Sequence, residues 1–155
     1  MARTRRLYIA YGSNLNVDQM VYRCPGARPV AKSWLPDHRL VFQGHPQNAH
    51  ANVIPEKGCA VPVVVWQITK NDELSLDRYE GVKGGYYTKE YFTIDVNGKE
   101  ESAMIYIMTP NPYGMPSSYY LNTLDQGYKH FGFDTRILNN AVIHSYKNAN
   151  IKRAQ

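Results

Sequence analysis

Leu7-Tyr-Ile-Ala-Tyr-Gly-Ser-Asn-Leu15 is the stretch around which we expect the chain to fold. Its first half is apolar and rich in aromatic and β-branched side chains, which favours a short buried strand. Gly12, Ser13 and Asn14 then end the strand, and residues 16–20 have a helical pattern. A strand, a small-residue turn and a helix start leave backbone N–H groups free to bind an anion or an oxyanion. From spacing alone, an ordinary strand-to-helix turn explains the pattern equally well.

Composition and charge indicate one globular domain. A length of 155 residues with 43% hydrophobic residues predicts a single domain over residues 1–155, ending in a polar, frayed tail from about residue 148. The 13 tyrosines suit a polar pocket walled by aromatic rings, or ordinary half-buried sheet faces. The net charge of +5 is not arranged as a stripe, which argues against a nucleic-acid partner.

Cysteine and histidine usage points to a cytoplasmic protein without a metal. Cys24 and Cys59 lack metal-binding spacing and no signal peptide is evident, so we expect free thiols in a reducing cytoplasm. The longest apolar run, residues 61–66, is too short to span a bilayer, so we expect no membrane partner. Residues 45–51 are polar and predict an exposed loop. His45 and His50 lie in it, but their spacing is weak evidence for a metal site, and we expect none.

The remaining pattern predicts a mixed α+β fold of about six strands and three or four helices, which we interpret as a small closed or half-closed barrel. After the opening strand, further strands are predicted at 34–44, 52–55, 59–68, 86–96 and 102–108, and helices at 72–80, 117–131 and from about 134. A loop is predicted at 23–32 and a turn at 56–58. Asn71 is the predicted cap of the 72–80 helix. Asn97-Gly98 predicts a tight hairpin turn.

Glu80 is the candidate proton-transfer group. It is predicted to lie in the last turn of a helix, where the helix dipole disfavours a negative charge, and Asp77 lies on the same face. Both effects, together with burial, would raise the pKa of Glu80 toward neutral pH, as a general acid/base requires. The residues alone favour a simpler alternative, in which Glu80 is solvated or paired with Arg78 or Lys83. Ser13 lacks the context of a serine nucleophile, so we interpret it as a hydrogen-bond donor.

Taken together, the segments resemble the gamma-glutamylcyclotransferase-like family, which includes AIG2-like and butirosin-biosynthesis cyclotransferase-like proteins. The resemblance covers most of the chain and rests on Tyr11–Leu15 and Leu76–Val82 at this distance from each other, with residues 85–87 completing the second segment. Tyr106–Thr109 and Pro116–Tyr120 match later parts of the pattern, whereas Pro62 and Tyr86 depart from it.

The resemblance implies a small mixed β-barrel with flanking helices, no cofactor or metal, a small-molecule γ-glutamyl substrate and a possible homodimer. It implies that Glu80 is the general acid/base. The residues that it implies for substrate binding are Tyr11, Gly12, Ser13, Asn14, Leu15, Tyr87 and Tyr120.

The implied reaction is the release of 5-oxoproline from a γ-glutamyl amine or dipeptide by intramolecular aminolysis, as in glutathione metabolism. One alternative is the same reaction on a specialised conjugate, such as γ-glutamyl-lysine or an antibiotic side chain. Another is a catalytically silent module that binds γ-glutamyl compounds. The presence of Glu80 argues against the silent module, because such a protein has no need of the acid.

Overall fold

The opening stretch forms the central strand of a five-stranded sheet in a computed structural model, which describes residues 5–154. In chain order the elements are β1 (Leu7–Ala10), a 3-10 helix (Ser13–Leu15), α1 (Val17–Arg23), β2 (Arg28–His45), β3 (Asn48–Gln67), α2 (Lys70–Tyr79), β4 (Tyr87–Val96), β5 (Lys99–Met108), α3 (Ser118–Phe131) and α4 (Arg136–Ala154). This mixture of strands and helices confirms the predicted α+β class. None of the helices among these residues is long and apolar enough to cross a membrane.

The sheet curls but does not close into the predicted barrel. Its strand order is β2-β3-β1-β5-β4, and only the β1–β5 pair is parallel. The two edge strands approach each other through side chains: Ser33 Oγ donates to the carbonyl oxygen of Asp95 (2.7 Å), and Asn97 Nδ2 donates to that of Val30 (3.1 Å). These bonds hold the edges of a curled sheet together without a backbone ladder between them.

The sheet has five strands where about six were expected, because β2 and β3 form one long hairpin. The predicted loop 45–51 and the predicted turn 56–58 lie largely within strands. Their residues have weak strand propensity, but the pairing of β2 with β3 satisfies their backbone hydrogen-bonding groups. The hairpin has two register shifts, between Pro29 and Ala31 and between Pro36 and His38; at the second, Asp37 (φ 55°) accepts a hydrogen bond from the N–H of Gly58 (φ 87°) at 3.0 Å.

The hairpin between β4 and β5 confirms the Asn97-Gly98 prediction. Both residues have positive φ, 53° and 89°, as the tight primed turn requires. The predicted cap of α2 was wrong: Thr69 Oγ1 accepts from the N–H of Asp72 (3.1 Å), and the Asp72 carboxylate accepts from the N–H of Thr69 (2.9 Å). This reciprocal capping box leaves Asn71 inside the first turn.

The last two helices begin where the sequence predicts. Ser117 caps α3, accepting from the N–H of Tyr120 at 3.1 Å, and Gly132 ends it in a left-handed conformation (φ 74°). Asp134 accepts from the N–H of Arg136 (2.9 Å) at the beginning of α4. This helix continues to Ala154, so the stretch predicted as a frayed tail is helical as far as the described residues reach.

Candidate active site

A cavity of about 320 Å³ opens at the end of β1, between the 3-10 helix, β3, the end of α2 and the start of α3. Seven of the eight residues named from the sequence line it: Tyr11, Gly12, Ser13, Asn14, Glu80, Tyr87 and Tyr120. Residues some seventy positions apart in the chain therefore share one site, because β1 and α2 both end at the same rim of the curled sheet.

Leu15 is the exception, because it does not line the cavity. Its side chain is fully buried, and a Cβ on Gly127 of α3 would lie only 2.7–2.8 Å from Leu15 atoms. Asn16 extends this contact by donating to the carbonyl oxygen of Thr123 (3.1 Å) and to Gln126 Oε1 (3.0 Å). Leu15 and Asn16 thus fix the 3-10 helix to α3 beneath the cavity.

The backbone of the 3-10 helix presents free hydrogen-bond donors. The N–H of Leu15 donates to the carbonyl oxygen of Gly12 (3.0 Å), and the N–H of Asn16 donates to that of Ser13 (2.9 Å). The N–H groups of Gly12, Ser13 and Asn14 donate no hydrogen bond to any described residue. Such unpaired amides at the start of a helical turn suit a negatively charged or polar ligand atom.

The Asn14 side chain fixes this turn to α1. Arg23 Nη1 (3.1 Å) and Gln19 Nε2 (3.0 Å) both donate to Asn14 Oδ1. The Asn14 amide nitrogen in turn donates to Tyr8 Oη at 2.9 Å, and Asn14 is only 2% exposed. The side-chain oxygen and one amide proton of Asn14 are therefore used inside the protein, whereas the backbone N–H of the same residue is free.

The backbone around Glu80 is set by the end of α2. Gly81 (φ 63°) donates to the carbonyl oxygen of Arg78 (3.2 Å), and Val82 donates to that of Asp77 (3.1 Å). This pair of bonds is a Schellman motif, for which a glycine in the left-handed region is favoured. It holds Glu80 at the helix cap, with its carboxyl group lining the cavity.

Burial raises the pKa of Glu80 to about 7, and the nearby positive charge of Arg23 opposes this rise. The predicted contribution of Asp77 was wrong, because that carboxylate is neutralised by Lys89 Nζ (3.0 Å) and accepts from Tyr106 Oη (2.7 Å). The Glu80 carboxyl itself forms no hydrogen bond or ion pair with a described residue. Glu80 is therefore half-buried and unpaired among the described residues, and the predicted pairing with Arg78 or Lys83 is not what the structure shows.

Two of the predicted tyrosines hold the same backbone unit of β3. Tyr87 Oη donates to the carbonyl oxygen of Ala51 (2.8 Å), and Tyr120 Oη accepts from the N–H of Ala51 (3.0 Å). Tyr11 Oη donates to the carbonyl oxygen of Tyr106 at 2.6 Å. These bonds hold three aromatic walls of the cavity in place.

Several cavity residues were missed by the sequence reasoning. Arg23 was assigned to a loop, although the spacing of Asn16, Gln19 and Arg23 matches one helix face and could have identified it. His50 was assigned to an exposed loop, but its ring packs edge-on at 4.9 Å from that of Tyr120, and burial lowers its pKa. Within the described part of the chain, no three His, Cys, Asp or Glu side chains cluster to hold a metal ion.

Comparisons with known proteins point to one family. The family model "Gamma-glutamyl cyclotransferase, AIG2-like" matches residues 8–125. The gamma-glutamylcyclotransferase of Bos taurus is 35% identical over 135 residues, and that of Homo sapiens is 36% identical over 134; each alignment covers 81% of this chain and 71% of the relative.

Solved structures agree with this match. A structure named gamma-glutamyl cyclotransferase is 29% identical, has a TM-score of 0.80, and is covered over 86% of its length by 89% of this chain. YkqA from Bacillus subtilis is only 15% identical but has a TM-score of 0.77, over 93% of this chain and 55% of its own, and so shares the fold. Since the matched region contains the turn, the Glu80 segment and the start of α3, the chain belongs to the gamma-glutamyl cyclotransferase, AIG2-like family.

Proposed function

We propose that this protein is a gamma-glutamylcyclotransferase that releases 5-oxoproline from a γ-glutamyl amine or dipeptide. The observation that carries the proposal is that one cavity contains both Glu80, whose pKa is raised to about 7, and the free amides of Gly12, Ser13 and Asn14. The carboxyl can move protons near neutral pH, and the amides can hold an anionic or polar atom of the substrate.

The reaction begins at the α-ammonium group of the substrate. The Glu80 carboxylate accepts a proton from it, and the freed nitrogen attacks the γ-carbonyl carbon of the same molecule. A five-membered ring closes as the carbonyl π electrons move to oxygen. Because both reacting groups belong to one molecule, the protein mainly has to hold the substrate folded, and Tyr11, Tyr87 and Tyr120 supply the walls for this.

The ring then expels the leaving amine. The bond from the former carbonyl carbon to the leaving nitrogen breaks, and Glu80 gives its proton to that nitrogen. As the carbonyl re-forms, Glu80 takes the second proton from the ring nitrogen and passes it to the departed amine. In total, two protons pass from the α-nitrogen to the leaving amine, which departs as an ammonium ion. Glu80 ends as the carboxylate with which it began, and the stoichiometry requires no co-reactant.

The pH dependence of turnover should follow the ionisation of Glu80. Protonated Glu80 cannot accept a proton, so we expect kcat/KM to fall by about tenfold per pH unit on the acid side of a pKa of about 7. Steady-state release of 5-oxoproline from a γ-glutamyl dipeptide between pH 5 and pH 9 measures this limb. A profile that stays flat down to pH 5 would contradict the assignment of Glu80.

The leaving group should be neutral rather than cationic. Apart from Glu80, the only Asp, Glu, Lys or Arg side chain among the described residues that line the cavity is that of Arg23. An amine that carries a second positive charge would therefore lack a counter-charge. We expect γ-glutamyl-butylamide, whose leaving amine carries no second charge, to have a kcat/KM at least about tenfold above that of γ-glutamyl-4-aminobutylamide, whose leaving amine carries a second ammonium group.

A panel of γ-glutamyl compounds, including these two and glutathione, tests the proposed function through 5-oxoproline release. Turnover of none of them, combined with tight binding of one, would instead support the silent binding module. The homodimer and the cytoplasmic location stay predictions.

A further inference from the structure

The tyrosines that line the cavity differ in where their hydroxyl protons go. Three of them donate to protein acceptors: Tyr11 to the carbonyl oxygen of Tyr106 (2.6 Å), Tyr87 to that of Ala51 (2.8 Å), and Tyr106 to the Asp77 carboxylate (2.7 Å). Their hydroxyl groups are thereby occupied in holding the fold. A phenol has a single proton, so none of the three has another to donate to a ligand.

Tyr8 and Tyr120 are different, because the hydroxyl oxygen of each accepts a hydrogen bond. Tyr120 Oη accepts from the N–H of Ala51 in β3 (3.0 Å), whereas Tyr8 Oη accepts from the side chain of Asn14 in the turn. Arg23 carries only donors, and it bonds to Asn14 Oδ1 together with Gln19. The orientation of the Asn14 amide is therefore determined, and its Nδ2 faces Tyr8 Oη at 2.9 Å. Since Nδ2 can only donate, the Tyr8 oxygen is the acceptor and its proton must be directed elsewhere.

The hydroxyl proton of Tyr8 can point into the cavity. Tyr8 lines the cavity and is 4% exposed, and it donates to no described residue. Glu80 lines the same cavity, and its carboxyl likewise forms no hydrogen bond with a described residue. Burial, and then the charge of Glu80, raise the pKa of Tyr8 well above its ordinary value, so the phenol stays protonated at neutral pH.

We propose that Tyr8 is a further catalytic residue, whose hydroxyl donates a hydrogen bond to the carbonyl oxygen of the γ-glutamyl amide. Arg23 acts as a positioning residue, because it fixes the Asn14 amide that makes the Tyr8 oxygen an acceptor. As the α-nitrogen bonds to the carbonyl carbon, the π electrons move to oxygen and the hydrogen bond from Tyr8 strengthens. The phenol keeps its proton throughout. This inference rests on the proposed function.

The position of Tyr8 favours the reacting carbonyl over the α-carboxylate of the substrate. Glu80 must reach the attacking and the leaving nitrogen, so the reacting carbonyl lies near the end of α2. Tyr8 lies between this end and the turn: Asn14 donates to its hydroxyl (2.9 Å), and its ring packs edge-on at 5.7 Å from that of Tyr106, whose hydroxyl donates to Asp77 of α2 (2.7 Å). The hydroxyl of Tyr120 instead bonds Ala51 of β3. The α-carboxylate carries a permanent charge, and the free amides of Gly12, Ser13 and Asn14, with Arg23 nearby, suit it better.

The test is Tyr8→Phe, assayed on the preferred γ-glutamyl substrate. We expect kcat to fall by about 10²-fold, the typical cost of losing one oxyanion donor, with KM changed by less than about threefold. Tyr128→Phe is the matched control, because its hydroxyl is also buried but bonds no described residue and lies outside the cavity. It should leave kcat unchanged. An unchanged kcat in Tyr8→Phe, or a rise in KM alone, would overturn the assignment.

Asn14→Asp provides a second test that keeps the Tyr8 ring intact. One Asp oxygen can still accept from Arg23 and Gln19, while the other now accepts the Tyr8 proton and turns it away from the cavity. We expect the plateau kcat to fall about as far as in Tyr8→Phe, and the double variant to be no slower than either single variant. A purely structural role of Tyr8 predicts near-normal kcat in Asn14→Asp, and that result would overturn the proposal.

The outcome for the wild-type protein separates this inference from the function on which it rests. If the wild-type protein releases no 5-oxoproline from any γ-glutamyl compound, the proposed function fails and the role of Tyr8 fails with it. If the wild-type protein is active and Tyr8→Phe matches it, only the role of Tyr8 is wrong.

Discussion

Glu80→Gln should lower kcat for 5-oxoproline release by about 10²–10⁴-fold, the usual contribution of a general acid/base. The amide occupies nearly the same volume as the carboxyl but cannot accept the proton of the α-ammonium group. Initial rates of 5-oxoproline release at pH 8 measure the loss. Glu90→Gln is the matched control, since Glu90 is exposed on β4 and lies outside the cavity, and it should keep wild-type activity.

The same substitution should stabilise the fold at alkaline pH. The pKa of Glu80 is raised from its ordinary value of 4.5 to about 7 in the folded protein. Between these values the unfolded chain is ionised while the folded protein still holds the proton, so stability falls as pH rises from about 4.5 through about 7. At 1.36 kcal/mol per pKa unit, the loss reaches up to about 3 kcal/mol, and it disappears in Glu80→Gln.

Urea unfolding of both proteins at pH 5 and pH 8 tests this expectation. A variant that is inactive but more stable at pH 8 shows that the lost activity is not caused by unfolding. An inactive variant that is also less stable at pH 8 would mean that Glu80 holds the structure rather than moves protons. An active variant would remove Glu80 from the mechanism.

Both halves of the site could be predicted from the sequence because each is defined by short-range chemistry. The residue types at Gly12, Ser13 and Asn14 end a strand and start a helical turn whatever surrounds them. Glu80 stands next to Gly81, which takes the left-handed conformation (φ 63°) that ends α2. Local backbone preferences therefore predict the turn and the end of α2, and the family resemblance predicts that the two belong to one site.

What could not be predicted depends on contacts between distant segments. The strand that carries His50 was interpreted as a loop, because its polar residues are strand-like only when paired with β2. Asp77 was expected to repel Glu80, and only the folded chain brings Lys89 to neutralise it. The role of Tyr8 depends on how Arg23 orients an amide, which no local pattern encodes.

Gly127→Ala should destabilise the fold by about 1–3 kcal/mol, as overpacking of a close contact does. Intrinsic helix propensity predicts the opposite sign, since alanine inside a helix is favoured over glycine by about 1 kcal/mol. Packing should win, because the new Cβ would lie 2.7 Å from a backbone carbon of Leu15, which cannot rotate away as a flexible side chain can. Either α3 or the 3-10 helix must then move.

That movement should also reach the active site. The turn that Leu15 anchors carries the free amides of Gly12, Ser13 and Asn14, and a displacement of about 1 Å in a positioning element can cost about 10²-fold in rate. Thermal unfolding and kcat/KM of Gly127→Ala measure the two effects, with Asn122→Ala on the exposed face of α3 as control. A variant with raised stability and full activity would contradict the prediction, because helix propensity would then outweigh the contact. The expected result, lower stability together with lower activity, would mean that α3 acts on the chemistry by fixing the position of the turn.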